Sequence, residues 1–336
     1  MRKSALLLFF LTITTTFISC GDDFFEEEII YQNDSIIYTN DSINHSNKET
    51  PGDTTIIDTT RTDTTTNTPN TNKDYVYIQE ITKYMNQSSG GVSVQGADCY
   101  GDYLFQFQDK NAAVYIYNLK EKKYLGKVSL KPNNNNHCNN TSFSRIFYQE
   151  GDEFPLIYVS GSGSGTYNQV QVYRITRSGS SFSLEQVQEI ILPKASSANN
   201  LYWTGAILDN DNNYMYIYGN MNGAQIVRFN IPEAHQASVS LNDKDILEQF
   251  TLDKFTHQQG ANIKDGLLYV FDGVPAWGDT NYLRIIDLKN KKELAKINIM
   301  EKGFKVEPEG TFFYKKELYC ASNNSGIYKF KNVINK

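Results

Sequence analysis

Two stretches of this chain, 169 residues apart, are near copies of each other, and long-range self-similarity restricts a chain to a few repeat architectures. Asn118-Leu119-Lys120-Glu121-Lys122-Lys123-Tyr124-Leu125-Gly126-Lys127-Val128 aligns with Asp287-Leu288-Lys289-Asn290-Lys291-Lys292-Glu293-Leu294-Ala295-Lys296-Ile297. The two share Leu, Lys, Lys, Lys, Leu and Lys in register, and each reads as a strand, a charged turn and a second strand. An earlier echo precedes each hairpin: Gln95-Gly96-Ala97-Asp98 recurs as Gln259-Gly260-Ala261-Asn262, 164 residues on. Thr204-Gly205-Ala206 and Glu309-Gly310-Thr311 are weaker copies. A turn and an aromatic strand follow every copy: Tyr103-Leu104-Phe105, Tyr214-Met215-Tyr216, Leu268-Tyr269-Val270 and Leu318-Tyr319-Cys320.

Units therefore start at Gln95, Thr204, Gln259 and Glu309, with a further start near His137 inferred from spacing; five units of about 50 residues each result. That is the size of a four-stranded propeller blade. Short alternating runs of Tyr, Phe, Val and Ile between Gly, Asn and Asp support strands throughout, and no long stretch has helical periodicity. The fold class expected for residues 74–336 is all-β: a β-propeller of five four-stranded blades. The fifth unit runs out after Ile327-Tyr328-Lys329-Phe330 with three strands, while a spare strand, Tyr75 to Ile81, precedes the first. Pairing the spare strand with the last blade would close the ring and leave no open edge. A β-sandwich explains neither the repeat nor the spare strand.

The N-terminus reads differently. Arg2 and Lys3 precede a short apolar run, Ala5 to Ile13, which is the plan of a secretory signal over residues 1–19 and too short for a span of about 20 apolar residues. Phe17-Ile18-Ser19-Cys20-Gly21 resembles the lipobox of bacterial lipoproteins, which implies cleavage before Cys20, acylation of its thiol and a membrane partner bound through lipid. Several acyl chains anchor stably where one does not. Gly21 to Glu28 carries five carboxylates in eight positions and resembles the surface-export signal of Bacteroidetes lipoproteins, implying an outer-membrane, outward-facing location, with a periplasm-facing anchor as the alternative. Residues 20–73 are rich in Asn, Asp, Ser and Thr and too poor in apolar groups to form a core, so a disordered stalk is expected. Five triplets of Asp, hydroxyl residue and Ile or Thr place hydroxyls at Ser35, Ser42, Thr54, Thr59 and Thr64. They resemble the O-glycosylation sequon of Bacteroidetes and imply glycans there.

Charge separates with composition. Residues 20–74 hold 12 acids and 3 bases, so the repeat region is near neutral although the chain is −6, which argues against a nucleic-acid partner.

The blade-start motifs His257-Gln258-Gln259-Gly260 and Glu307-Pro308-Glu309-Gly310, with Ile285-Ile286-Asp287-Leu288, resemble several propeller families. These include glutaminyl cyclases of the plant and bacterial type and the propellers of phage receptor-binding and teichoic-acid-associated proteins. The cyclase pattern also carries repeated Leu-Thr-Trp strands, whereas the only tryptophans here are Trp203 and Trp277.

Radial repetition brings equivalent blade positions around one axis. Gln95, Asn140, Thr204, Gln259 and Glu309, with Trp203 as a stacking face, are the expected ligand-binding ring for a glycan or protein at the channel mouth. His137, His257 and Glu309 are the candidate catalytic groups of the alternative, a cyclase- or lyase-type enzyme. Such a His/His/Glu set is also the one place that zinc would suit; no cofactor is otherwise indicated and no metal-ligand spacing occurs among the cysteines. The glycines of the repeat, Gly96, Gly205, Gly260 and Gly310, are expected to let inner strands approach closely.

Overall fold

A computed structural model describes residues 78–87, 93–109, 113–130, 137–162, 169–193, 205–220, 224–323 and 325–331. All lie within the unit spanning Asp74–Lys336. The signal, lipobox and glycosylation readings at Cys20, Ser35, Ser42, Thr54, Thr59 and Thr64, and the site residues Trp203 and Thr204, lie outside the described residues.

The first unit comprises β2 (Val94–Tyr100), β3 (Tyr103–Gln108), β4 (Ala113–Asn118) and β5 (Lys123–Ser129). The second comprises β6 (His137–Phe143), β7 (Ile157–Ser162), β8 (Gln169–Ser178) and β9 (Ser181–Ile191). β10 (Gly205–Asp209), β11 (Tyr214–Asn220), β12 (Ala224–Asn230) and β14 (Glu248–Leu252) form the third. The fourth is β15 (Gln258–Lys264), β16 (Leu267–Asp272), β17 (Tyr282–Asp287) and β18 (Lys292–Asn298). The fifth joins β19 (Pro308–Tyr314), β20 (Glu317–Ser322) and β21 (Ile327–Lys331) to β1 (Glu80–Met85). The result is a five-bladed β-propeller of four-stranded antiparallel blades. A short strand within the third unit, β13 (Ser238–Ser240), leaves its own blade and pairs in parallel with β9, adding a fifth strand to the second blade.

Closure follows the expected plan with a different strand segment. The closing strand is Glu80–Met85 rather than Tyr75–Ile81, in antiparallel register with Ile81 opposite Phe330 and Met85 opposite Ile327. Ile78, just before the strand, and Met85, at its end, are both buried, in the apolar layers on either side of the last blade. Tyr75 to Tyr77 lie outside the described residues.

The core is divided into five apolar layers, one between each pair of adjacent blades. Phe105, Ile116, Phe143, Phe154 and Tyr173 fill the layer between blades one and two, and Phe271, Leu283, Phe304, Leu318 and Phe330 the one between blades four and five. Inner strands are therefore enclosed on both faces, and β10 is buried at every residue. The outermost strand β18 alternates exposed and half-buried residues, which is the period-two pattern of a half-solvated strand.

The repeat glycines have the close-approach role expected of them. A Cβ on Gly260 would collide with the Glu309 carbonyl, and one on Gly310 with the Ala97 methyl. At Gly96 it would meet the Asn140 backbone at 2.7 Å, and at Gly205 the Tyr218 ring. Four of the five inner strands can thus converge on the axis only because the residue there has no side chain.

Candidate functional site

Each inner strand runs from the face bearing the connections between blades to the face bearing tight turns such as Gly101-Asp102 and Asp265-Gly266. Second-to-third-strand loops rise on the first face too, so that mouth carries the longer segments, 253–257, 273–281 and 299–307.

Below that mouth a buried polar network fills the axis. Asn140 is fully buried; its Nδ2 donates to the Ala206 carbonyl at 2.8 Å and its Oδ1 accepts from the Ala261 N–H at 2.9 Å. One side chain on β6 thereby joins β10 and β15. The Asp98 carboxylate accepts from the N–H groups of Phe143 and Cys99 at 2.7 and 2.8 Å, and Asn262 Nδ2 donates to the Thr311 carbonyl at 3.1 Å. Burial pushes the Asp98 carboxyl up to about 7, against the lowering effect of its donors. Of the sequence-predicted ligand residues, Asn140 is therefore committed to protein partners on both amide atoms. Gln259 offers its backbone carbonyl to the Tyr218 hydroxyl at 2.8 Å, and its side chain remains almost fully buried.

At the mouth itself Gln95 and Glu309 come together. Gln95 Nε2 donates to Glu309 Oε1 at 3.1 Å, while Glu309 Oε2 is buried without a hydrogen-bond partner among the described residues. Burial holds the Glu309 carboxyl well above the ordinary range, and the neighbouring charges of Glu307 and Asp109 add to the effect. Glu307 is raised as well, by burial first, although Asn323 Nδ2 donates to it at 2.8 Å. His137 stands alongside, its Nδ1 2.6 Å from Asp109 Oδ1. A carboxylate at Nδ1 fixes the ring's orientation and leaves Nε2 as the outward-working atom.

His257 takes a separate station on the rim. Its Nδ1 faces Asp279 Oδ2 at 2.5 Å, and its backbone N–H donates to Asp272 Oδ1 at 2.9 Å. Asp279 closes the loop after β16 by accepting from the Val274 N–H at 2.9 Å, and Gly278, at φ 87°, supplies the left-handed turn between them. The same turn sets Trp277 edge-on to the His257 ring, centroids 4.8 Å apart, with half of the indole exposed. Beneath it, fully buried Arg284 lies over the Phe255 ring and donates to the Asp253 and Lys254 carbonyls, holding the segment that carries His257.

His137, His257 and Glu309 thus face different partners, Asp109, Asp279 and Gln95, instead of one another. Among the described residues no three His, Cys, Asp or Glu side chains are grouped to hold a metal ion. Cys99, Cys138 and Cys320 form no disulfide among the described residues, and no described helix is long and apolar enough to cross a membrane. Asp109, Asp279 and Trp277 were not legible as site residues from the repeat, because each lies in a loop after the second strand of its unit. The one sequence signal was length: residues 273–281 make a longer connection than the two-residue hairpin turns beside it.

No family model and no curated protein sequence matches this chain. Among solved structures it is similar to the glutaminyl cyclase of Myxococcus xanthus, at 9% identity over 78% of this chain and 97% of that one, TM-score 0.49. It is similar also to the virginiamycin B lyase of Staphylococcus aureus, at 13% identity over 75% and 98%, TM-score 0.40. A luciferin-regenerating enzyme gives 13% identity over 75% and 94%, TM-score 0.44. Likeness at this level carries no argument about activity; that the chain is a propeller rests on its own strand pairing.

Proposed function

We propose that the chain is an exported, lipid-anchored surface protein whose propeller binds a polar ligand, a glycan or a glycan-bearing protein, at the loop-bearing mouth. The observation that carries the reading is the Trp277 corner. A half-exposed indole on a loop fixed by Asp279 and Gly278, beside an oriented imidazole, is a stacking face with a hydrogen-bonding group next to it. The buried Gln95–Glu309 pair and Gln259 lie at the starts of inner strands toward the axis, and Trp203 and Thr204 precede β10 in sequence. Lipid on Cys20 would tether the chain to a membrane, and Ser35, Ser42, Thr54, Thr59 and Thr64 would carry glycans. A glycan-array screen of the purified chain tests the reading. Trp277→Ala should abolish the bound signals while moving the melting temperature little, as expected for an exposed side chain; retained signals would refute it.

A second reading, acid–base catalysis at the same mouth, is favoured by one specific arrangement. Burial raises the Glu309 carboxyl well above its ordinary range, toward the role of an acid, and the His137–Asp109 pair beside it offers a base. Turnover of a bound ligand that Glu309→Gln stops without weakening binding would decide for it.

A further inference from the structure

The tight-turn face, opposite the proposed mouth, holds three of the five large apolar side chains exposed among the described residues: Tyr100, Phe147 and Leu247. Phe147 is there because of an insertion. The segment 144–156 stands where the other inner hairpins turn at 101–102, 210–213, 265–266 and 315–316. Its backbone is fixed: the Ser144 N–H donates to the Leu156 carbonyl at 2.9 Å, and the Leu156 N–H to the Ile146 carbonyl at 2.8 Å. From β8, Arg174 closes on Asp152 and Arg177 on Glu153. The segment therefore presents Phe147 instead of covering it. Its ring, 43% exposed, lies 6.3 Å from the Tyr100 ring, which packs in turn on Phe143 and Phe154.

Charge on this face is uneven. In blades four, five and one its turns are 265–266, 288–291, 315–316, 101–102 and 119–122. They carry six exposed lysines, Lys120, Lys122, Lys289, Lys291, Lys315 and Lys316, against three acids, Asp102, Glu121 and Asp265. Asp102 is engaged by the Tyr314 hydroxyl at 2.7 Å. Among the described residues only Lys291 of the six forms an ion pair, with Glu248. Around Phe147 the acids are neutralised in place, Asp211 by Arg145, Asp152 by Arg174 and Glu153 by Arg177, which leaves Glu150. The exposed rings thus border a sector with a surplus of free cations. The connection into β1 is on the same face, where Glu80 stands opposite Lys331.

We infer that the tight-turn face docks on the surface of an anionic bilayer, with Phe147, Tyr100 and Leu247 entering the headgroup layer and the lysines of blades four, five and one against lipid phosphates. Apolar rings beside long cationic side chains match that boundary, which is apolar below and anionic above. The inference takes its membrane from the lipid-anchored reading and adds a second contact with it. Docked in this way, the propeller turns the Trp277 mouth away from the lipid.

Co-sedimentation of residues 20–336 carrying Cys20→Ala with lipid vesicles tests the contact without an acyl anchor. Vesicles of phosphatidylglycerol should bind the chain, and vesicles of phosphatidylcholine should not. Lys315→Gln combined with Lys316→Gln removes two charges and should weaken binding about thirtyfold. Phe147→Ser, at an exposed ring, should weaken it about fivefold, with the melting temperature of each variant confirming an intact fold. Trp277→Ala, on the other face, should leave binding unchanged. Phe147→Trp should shift its emission to the blue when phosphatidylglycerol vesicles are added. Absence of binding to those vesicles, or binding that neither the lysine pair nor Phe147→Ser weakens, would overturn the inference. So would self-association without vesicles that Phe147→Ser abolishes, which would give the face to a second copy. Acylation is read separately, by palmitate labelling at Cys20, so failure of the anchor and failure of the docking face are distinguishable.

Discussion

Gln95 and Glu309 lie 214 residues apart in the chain and share a buried hydrogen bond, Nε2 to Oε1 at 3.1 Å, where the first and last blades meet at the axis. The pair joins the two ends of the repeat, and its carboxyl is one of several that burial raises above the ordinary carboxylate range. That state has a consequence for stability.

The Glu309 carboxyl is raised well above its ordinary 4.5, and Asp98 is pushed up to about 7. The unfolded chain releases these protons near the ordinary carboxylate values. Between those values and the raised ones these two groups bind more protons in the folded ring than in the unfolded chain, so the stability they contribute is full at acid pH and is lost as pH rises. Glu309→Gln keeps the partner for Gln95 and removes one titrating group. Melting temperatures measured from pH 5 to 8 should therefore decline less steeply in the variant than in the wild type. Parallel declines would show that Glu309 ionises normally.

Gly260→Ala drives a methyl group into the Glu309 carbonyl. Backbone on both sides leaves no flexible side chain to yield, so the loss should reach or exceed the roughly 1–3 kcal/mol of ordinary overpacking. Gly101→Ala serves as a comparison, since its Cβ would meet open space and only the left-handed φ of 59° is strained. Denaturant midpoints should rank Gly260→Ala well below Gly101→Ala, and equal midpoints would reject the packing account.

The ring is closed by β1, which pairs with β21 from Glu80 opposite Lys331 to Met85 opposite Ile327. A chain starting at Asp74 should melt in one cooperative transition. A chain starting at Ser88 exposes the edge of β21 and uncovers Ile327, so it should lose that cooperativity and associate through the open edge. Light scattering and calorimetry read both effects; a monomeric, equally stable protein from the shorter chain would show that closure lies elsewhere.

Lipidation at Cys20 is the basis of the proposed surface location. Cells fed labelled palmitate should label the wild-type protein and leave Cys20→Ala unlabelled, with the variant recovered in soluble fractions. Equal labelling of both would remove the anchor from the proposal.

Much of this architecture could be read from particular residues before any coordinate. The paired Leu-Lys hairpins at 119–127 and 288–296 are the outer hairpins of blades one and four, and Gln-Gly-Ala at 95 and 259 opens their innermost strands. Those signals are local: alternation, turn chemistry and the need for a residue without a side chain at the narrowest radius act within one unit and repeat with it. What the tertiary structure alone decided depends on neighbours that the repeat does not encode. The sequence placed His137, His257 and Glu309 at or beside the starts of inner strands, yet each turns to a different source of partner: His137 to Asp109 on a loop of the preceding blade, His257 to Asp279 on a loop of its own blade, and Glu309 to Gln95 on the first blade. Asn140, expected as a ligand group, also clamps β10 to β15, because at the axis strands far apart in sequence come within reach of one amide. Strand identity follows from short-range pattern, but the partner of a polar side chain is fixed by which strands converge on it, and that is set only when the ring closes.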